Sequence, residues 1–191
     1  FKRYEPEPQG TGVEPHYHDG DGFWLFSEGE GEVWLDEKSY SITPNTAVYT
    51  PSGVVHRFQL FVESQINALV TRLDKGQRPF HLVAEVDGDP CATADPIVVS
   101  GRDNIGLFPE RGLRCPLSEL RTVPIAARES IAGLDGAADM NDHLLVLSGD
   151  VELIIDSQKV MLGRGDVVFL RAGISRRVVS ASGACVALAH E

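Results

Sequence analysis

Apolar residues along this chain gather in short runs separated by turn residues. Glu32–Leu35, Ala47–Thr50 and Val54–Phe61 are rich in β-branched and aromatic side chains, the composition of half-buried strands. Pro44-Asn45 and Pro51-Ser52-Gly53 mark tight connections between them. Many short strands joined by Gly/Pro turns predict an all-β fold, an antiparallel sandwich or barrel.

The pattern occurs twice. Gly29–Phe58 lies over Gly149–Val178 without a gap, at an offset of 120 residues (149 minus 29). Glu32 meets Glu152, Asp36 meets Asp156, Gly53 meets Gly173, Val48 meets Val168 and Tyr49 meets Phe169. Agreement at apolar and turn positions together points to a duplicated domain, since the period is too long for a solenoid. The resulting plan is residues 1–76 as a first barrel and 137–191 as a second. Residues 77–136 then form a connector plus the second barrel's opening strands. In that stretch Ile97–Ser100 reads as a strand, and Leu117–Arg121 and Ile125–Ser130 as short helical turns.

Composition narrows the function classes. With 191 residues and 42% hydrophobic content the chain can bury one large core or two small ones. A net charge of −11 without a Lys/Arg cluster argues against nucleic acid and anionic membrane surfaces as partners. No apolar run approaches the ~20 residues of a spanning helix; no secretory leader is visible, while the opening at Phe1 without a methionine leaves a removed targeting segment open. Cys91, Cys115 and Cys185 are odd in number and lack paired ligand spacing, so they are expected as reduced, partly buried thiols in a cytoplasmic protein.

The chemistry gathers around three histidines. His16 and His18 are two apart, so they project from one face of a strand. In a small barrel that face is the interior, a poor place for two imidazoles without a shared partner. His56 follows the Pro51-Ser52-Gly53 turn, which sets where its strand enters. Inward positions are even-numbered, so Gly22, Trp24 and Phe26 continue that face, and Phe58 stands beside His56. Trp24, Phe26 and Phe58 are expected as an apolar pocket wall, with Gly22 opening space beside them. Asp19 and Asp21 should face away, though a bulge would make Asp21 a fourth ligand, and Glu28 stands at the strand's end.

These residues resemble the cupin superfamily. Gly10 is followed by five residues, His16-Tyr17-His18, three residues, Gly22, six residues and Gly29, the first cupin motif except that Gly22 replaces its glutamate. Pro51-Ser52-Gly53, two residues and His56 match the second motif; Asn45 and Leu60 depart from its flanking Gly and Asn. The resemblance implies two tandem cupin barrels, the double-stranded β-helix or jelly roll, in a bicupin chain. It implies one divalent transition metal held by His16, His18 and His56, with Fe(II) favoured and Zn, Mn or Ni as alternatives. Three-histidine centres without the glutamate are similar to those of thiol, β-diketone and gentisate-type dioxygenases. The expectation is therefore a mononuclear Fe(II) dioxygenase for a small chelating substrate, with no residue assigned as the catalytic acid or base. The alternatives are a non-redox metallocupin (isomerase, lyase or cyclase) or a small-molecule-binding sensor. Assembly is open between a homodimer through sheet edges and an intramolecular pseudo-dimer.

At the offset of 120, Gly136, Ala138 and Arg176 take the places of the three histidines, and Asp142 that of Gly22. The second copy is thus expected to hold no metal, and an Asp142–Arg176 ion pair to replace it. His143, odd on its strand, reads as structural.

Overall fold

The computed structural model describes residues 2–3, 8–70, 81–100, 106–107, 119–131, 136–137 and 139–190. Within these the chain divides into two compact units. The first comprises the described residues through Ser100; the second comprises Gly106–Leu107 and those from Glu119 onward. Apart from one helical turn, the described regular structure is β, arranged as jelly-roll sheets.

The first unit runs β1 (Lys2–Arg3), β2 (Gly12–His16), β3 (Gly22–Glu28), β4 (Gly31–Leu35), β5 (Lys38–Ile42), β6 (Thr46–Thr50), β7 (His56–Leu60), β8 (Gln65–Val70), the turn α1 (Ala84–Asp87) and β9 (Ile97–Val99). Two antiparallel sheets result, in the orders β1-β8-β3-β6-β9 and β2-β7-β4-β5. Alternation drives the second: in β7 His56, Phe58 and Leu60 are buried while Arg57 and Gln59 are exposed. The core joins Trp24, Phe26, Val33, Leu35, Ile42, Val48, Phe58, Leu60 and Ile66.

The second unit runs β10 (Gly106–Leu107), β11 (Glu119–Ile125), β12 (Gly136–Ala137), β13 (Asp142–Gly149), β14 (Val151–Ile155), β15 (Gln158–Leu162), β16 (Val167–Leu170), β17 (Ser175–Val179) and β18 (Ala184–His190). Its sheets, β10-β11-β18-β13-β16 and β12-β17-β14-β15, repeat the first unit's order: β18-β13-β16 stands for β8-β3-β6, and β12-β17-β14-β15 for β2-β7-β4-β5. Backbone detail repeats as well. Gly29, Asp36, Asn45 and Gly53 have φ of 104°, 52°, 63° and 84°; Gly149, Asp156, Gly165 and Gly173 have 71°, 46°, 89° and 79°. Four left-handed positions recurring at the same spacing mean that the turns, as well as the apolar pattern, were copied.

The connector departs from its sequence reading. Ile97–Val99 is a strand, and it pairs with β6 of the first unit. The helical turn expected over Leu117–Arg121 is strand from Glu119 onward, and Leu117 lies outside the described residues. β11 pairs with β18 through all seven of its residues, and the β-branched Thr122, Val123 and Ile125 suit that ladder. Pro124 sits beyond the stretch that β10 pairs, where among the described residues only β18 is bonded to β11. Ile125–Ser130 is likewise no helix: after Ile125 the chain makes a turn with Arg128 at φ 68° and bridges to Val179 at Ser130. Cys91 is exposed rather than partly buried, Cys185 is half-buried, and the two form no disulfide with each other; Cys115 lies outside the described residues. Among the described residues no helix is long and apolar enough to cross a membrane.

Candidate metal centre

His16 ends β2 and is the direct cross-strand partner of His56, the first residue of β7. A register irregularity between Val13 and His16 sets that alignment. His18 lies two residues past the strand, where its carbonyl accepts the Gly53 N–H at 2.9 Å. Gly53 is required there twice over. Its φ is 84°, and a Cβ would come within 2.1 Å of the Cys91 carbonyl oxygen. The Pro51-Ser52-Gly53 turn therefore fastens the strand carrying His56 to the segment carrying His18.

The three rings converge. Their centroids are 5.0 Å (His16–His18), 4.4 Å (His16–His56) and 4.8 Å (His18–His56) apart, and their ligand nitrogens all lie within 4.8 Å of one another. All three residues are buried. His16 Nδ1 donates to the Glu14 carbonyl at 2.8 Å and His56 Nδ1 to the Val54 carbonyl at 2.9 Å. Each carbonyl is an acceptor only, so it holds the proton on Nδ1 and leaves Nε2 as a lone pair. The Nε2 atoms of His16 and His56 are buried with no hydrogen-bond partner among the described residues. Carbonyl-anchored imidazoles that present orphaned Nε2 atoms to one point are the arrangement a metal ion requires.

Electrostatics agrees. Burial, then repulsion from His56, His16 and His81, pushes His18 down to about 2. Burial, then His16, pushes His56 down to about 3, against the opposing Val54 hydrogen bond. Burial also lowers His16, with the Glu14 hydrogen bond opposing it. The imidazoles are therefore neutral at physiological pH, the form that donates to a metal. Nitrogen donors from three imidazoles suit Fe, Zn, Ni or Cu better than Mg or Ca.

The remaining sequence candidates separate. Trp24 meets His56 edge-on at 5.3 Å and Phe58 at 5.3 Å. Phe26 packs on Trp24 at 6.3 Å and on Phe58 at 6.0 Å, within the core cluster. Trp24 is thus the wall nearest the histidines, and its Nε1 is buried without a hydrogen-bond partner among the described residues. Gly22 does not open a space. A Cβ there would meet Thr50 Oγ1 at 2.5 Å and Trp24 Nε1 at 3.1 Å, so those groups occupy the volume a side chain would need. Asp21 is fully buried; it accepts from the Ser52 N–H at 2.9 Å and the Tyr49 hydroxyl at 3.3 Å. It serves the turn rather than the metal cluster. Tyr17 donates its hydroxyl to the Gly88 carbonyl at 3.0 Å, and Arg57 stacks on Trp34 at 4.3 Å.

One residue near the site escaped the sequence reading. His81 brings its ring within 4.1 Å of His16 and 5.4 Å of His18. It belongs to no motif and sits in the irregular connector, so its only sequence signal was being a histidine in the same half of the chain.

In the second unit the equivalent ladder position pairs Gly136 with Arg176. Arg176 Nη2 forms an ion pair with the Asp142 carboxylate, both side chains fully buried, as the offset had led us to expect. Arg176 Nη1 also donates to the Ile174 carbonyl at 3.1 Å and the Arg171 carbonyl at 3.3 Å. His190, the cross-strand partner of Asp142, bonds its other oxygen through Nδ1. A guanidinium and a carboxylate thus take the places that correspond to His56 and Gly22. Ala138, the counterpart of His18, lies outside the described residues. His143 is half-buried against Phe169, 4.9 Å between centroids.

Comparison with known proteins agrees with the geometry. Residues 3–65 match the family described as the cupin domain. The match spans 63 residues (3 through 65) of the 191 and lies within the first unit, whose fold is the cupin jelly roll. No curated protein matches this chain in sequence. Among solved structures it is similar to AerE from Microcystis aeruginosa, with a TM-score of 0.65 at 13% identity over 96% of this chain and 83% of that one. It is similar to YhaK from Escherichia coli, with a TM-score of 0.65 at 15% identity over 98% and 82%. A salicylate 1,2-dioxygenase from Pseudaminobacter salicylatoxidans gives 0.61 at 10% identity over 96% and 68%. At these identities the likeness shows the cupin fold and nothing about activity.

Proposed function

We propose that this chain is a metal-dependent cupin enzyme, a mononuclear Fe(II) dioxygenase acting on a small, anionic, chelating organic substrate. The carrying observation is the trio of buried, neutral imidazoles at His16, His18 and His56 with no carboxylate among them. Bound there, Fe(II) would supply the redox centre and open coordination positions that oxygenation of a chelating substrate needs. Three neutral ligands leave the ion's +2 charge uncompensated, so the site favours an enolate, catecholate or hydroxy acid. The Trp24 N–H, without a partner among the described residues, would supply a donor for a substrate oxygen beside His56. Lewis-acid isomerase or lyase chemistry would ask for a general base. Among the described acids of the first unit, buried Asp21 already accepts bonds on both oxygens, and Asp19, beside His18, has one buried oxygen with no partner among the described residues.

The second unit, on this reading, is a cupin copy that exchanged ligands for the Asp142–Arg176 pair, making the chain a bicupin with chemistry in its first half. Oxygen uptake by iron-replete protein, screened with β-diketones, thiols and phenolic acids, tests the activity. Substrate-dependent uptake in one class, lost in His56→Ala, is expected. Uptake with none of the three would overturn the dioxygenase reading.

A further inference from the structure

Four of the chain's six histidines stand in one cluster, and only three belong to the cupin motifs. The fourth is placed there by the backbone. Tyr17, between the two ligands of the first motif, forms an antiparallel bridge with Leu82, closed by reciprocal N–H to carbonyl bonds of 2.9 Å each. In such a bridge the residues flanking the paired positions turn to the opposite face and share it. His16 and His18 flank Tyr17, and His81 flanks Leu82. Tyr17 and Leu82 are buried on one side, while His81 stands with His16 and His18 on the other. Ring separations of 4.1 Å to His16 and 5.4 Å to His18 fall on either side of the 4.4–5.0 Å found among the three motif histidines, and His81 stands outside the group whose ligand nitrogens already lie within 4.8 Å of one another. Unlike them, His81 is exposed, so it approaches the cluster from its solvent side.

We infer that His81 is a fourth imidazole ligand of the metal centre, standing in for the carboxylate that Gly22 lacks. The inference rests on the metal site proposed above and adds a ligand to it. Position 22 cannot supply that ligand, because Thr50 Oγ1 and Trp24 Nε1 close around it. A ligand delivered by the connector needs no room inside the barrel. The donor set would become four neutral nitrogens, which would keep the ion's full charge for an anionic substrate.

Cu(II) is the probe. Pulsed EPR of the Cu(II)-loaded protein reports coordinated imidazoles, and competition with a chelator gives the affinity. Wild type, His81→Ala, His81→Gln and His56→Ala are compared, with circular dichroism to check the fold. Both His81 variants should show one imidazole fewer than wild type. They should bind at least about tenfold more weakly, a loss that removing even an outer-shell partner produces. An unchanged imidazole signal and affinity in His81→Ala, with binding lost in His56→Ala, would overturn the His81 assignment alone. Wild type that takes up no copper would overturn this inference together with the metal site itself.

Discussion

His16 and His56 are direct partners across the β2–β7 ladder, with ring centroids 4.4 Å apart. At the matching ladder position of the second unit stand Gly136 and Arg176. One scaffold position thus carries two solutions to the same physical problem, a polar cluster inside a small barrel. In the first, neutral imidazoles leave lone pairs for an ion. In the second, a guanidinium meets a carboxylate. Both follow from the cost of burying polar groups without partners.

The neutral imidazoles predict an acid limit on the metal-free protein. His18 is held at about 2 and His56 at about 3, against 6.5 in the unfolded chain. Below pH 6.5 the unfolded state takes up protons at these positions and the folded state does not. Their contribution is therefore complete above 6.5 and is lost as the pH falls toward the folded values. Each such histidine costs up to about 1.4 kcal/mol per pH unit in that window. The melting temperature of metal-free protein should drop from pH 7 to pH 5, and a His18→Gln/His56→Gln variant should show a flatter profile. A wild-type melting temperature constant across that range would contradict the neutral cluster.

The Asp142–Arg176 pair predicts an asymmetric mutational response. Arg176→Met strands a fully buried carboxylate with His190 as its remaining ionisable partner, at a cost of about 3–5 kcal/mol. Arg176→Met combined with Asp142→Leu removes both charges and should recover most of that loss. Urea denaturation distinguishes the cases. Equal destabilisation by the single and double variants would show that the pair acts through packing rather than charge.

Much of this was legible in the sequence, for identifiable reasons. The 120-residue offset exposed the duplication because turn residues with left-handed backbone, such as Gly53 and Gly173, recur with the apolar pattern. It also carried the ligand positions onto Asp142 and Arg176, since the register of each ladder repeats. The metal trio was visible because its spacing is tied to one strand and one turn. The even-numbered inward face was right for Trp24 and Phe26, yet it does not lie on one strand. β2 ends at His16 and β3 begins at Gly22 in the other sheet. His81 was invisible, because its place depends on a single long-range bridge, Tyr17 to Leu82. The first residues of β11 and its last, Ile125, read as helical turns because its partner β18 lies some sixty residues further along the chain, and non-local pairing overrides local propensity.

Position 22 tests whether the site could regain the motif's carboxylate. Thr50 Oγ1 stands 2.5 Å from where a Cβ would be, so Gly22→Glu should destabilise by about 1–3 kcal/mol through overpacking. Adding Thr50→Ala removes that oxygen and should restore part of the loss. Thermal denaturation of both variants checks this. A Gly22→Glu protein as stable as wild type would mean that the pocket is open, against the packing described.

The central claim is that the first unit holds one metal ion through His16, His18 and His56. Its most direct test is elemental analysis of protein purified without oxygen, beside His56→Ala prepared identically. The account predicts near-stoichiometric transition metal in the wild type, with iron foremost, and its loss in a variant that keeps its fold. Wild-type protein that takes up no metal even after reconstitution with Fe(II), Zn(II), Mn(II) or Ni(II) would contradict it.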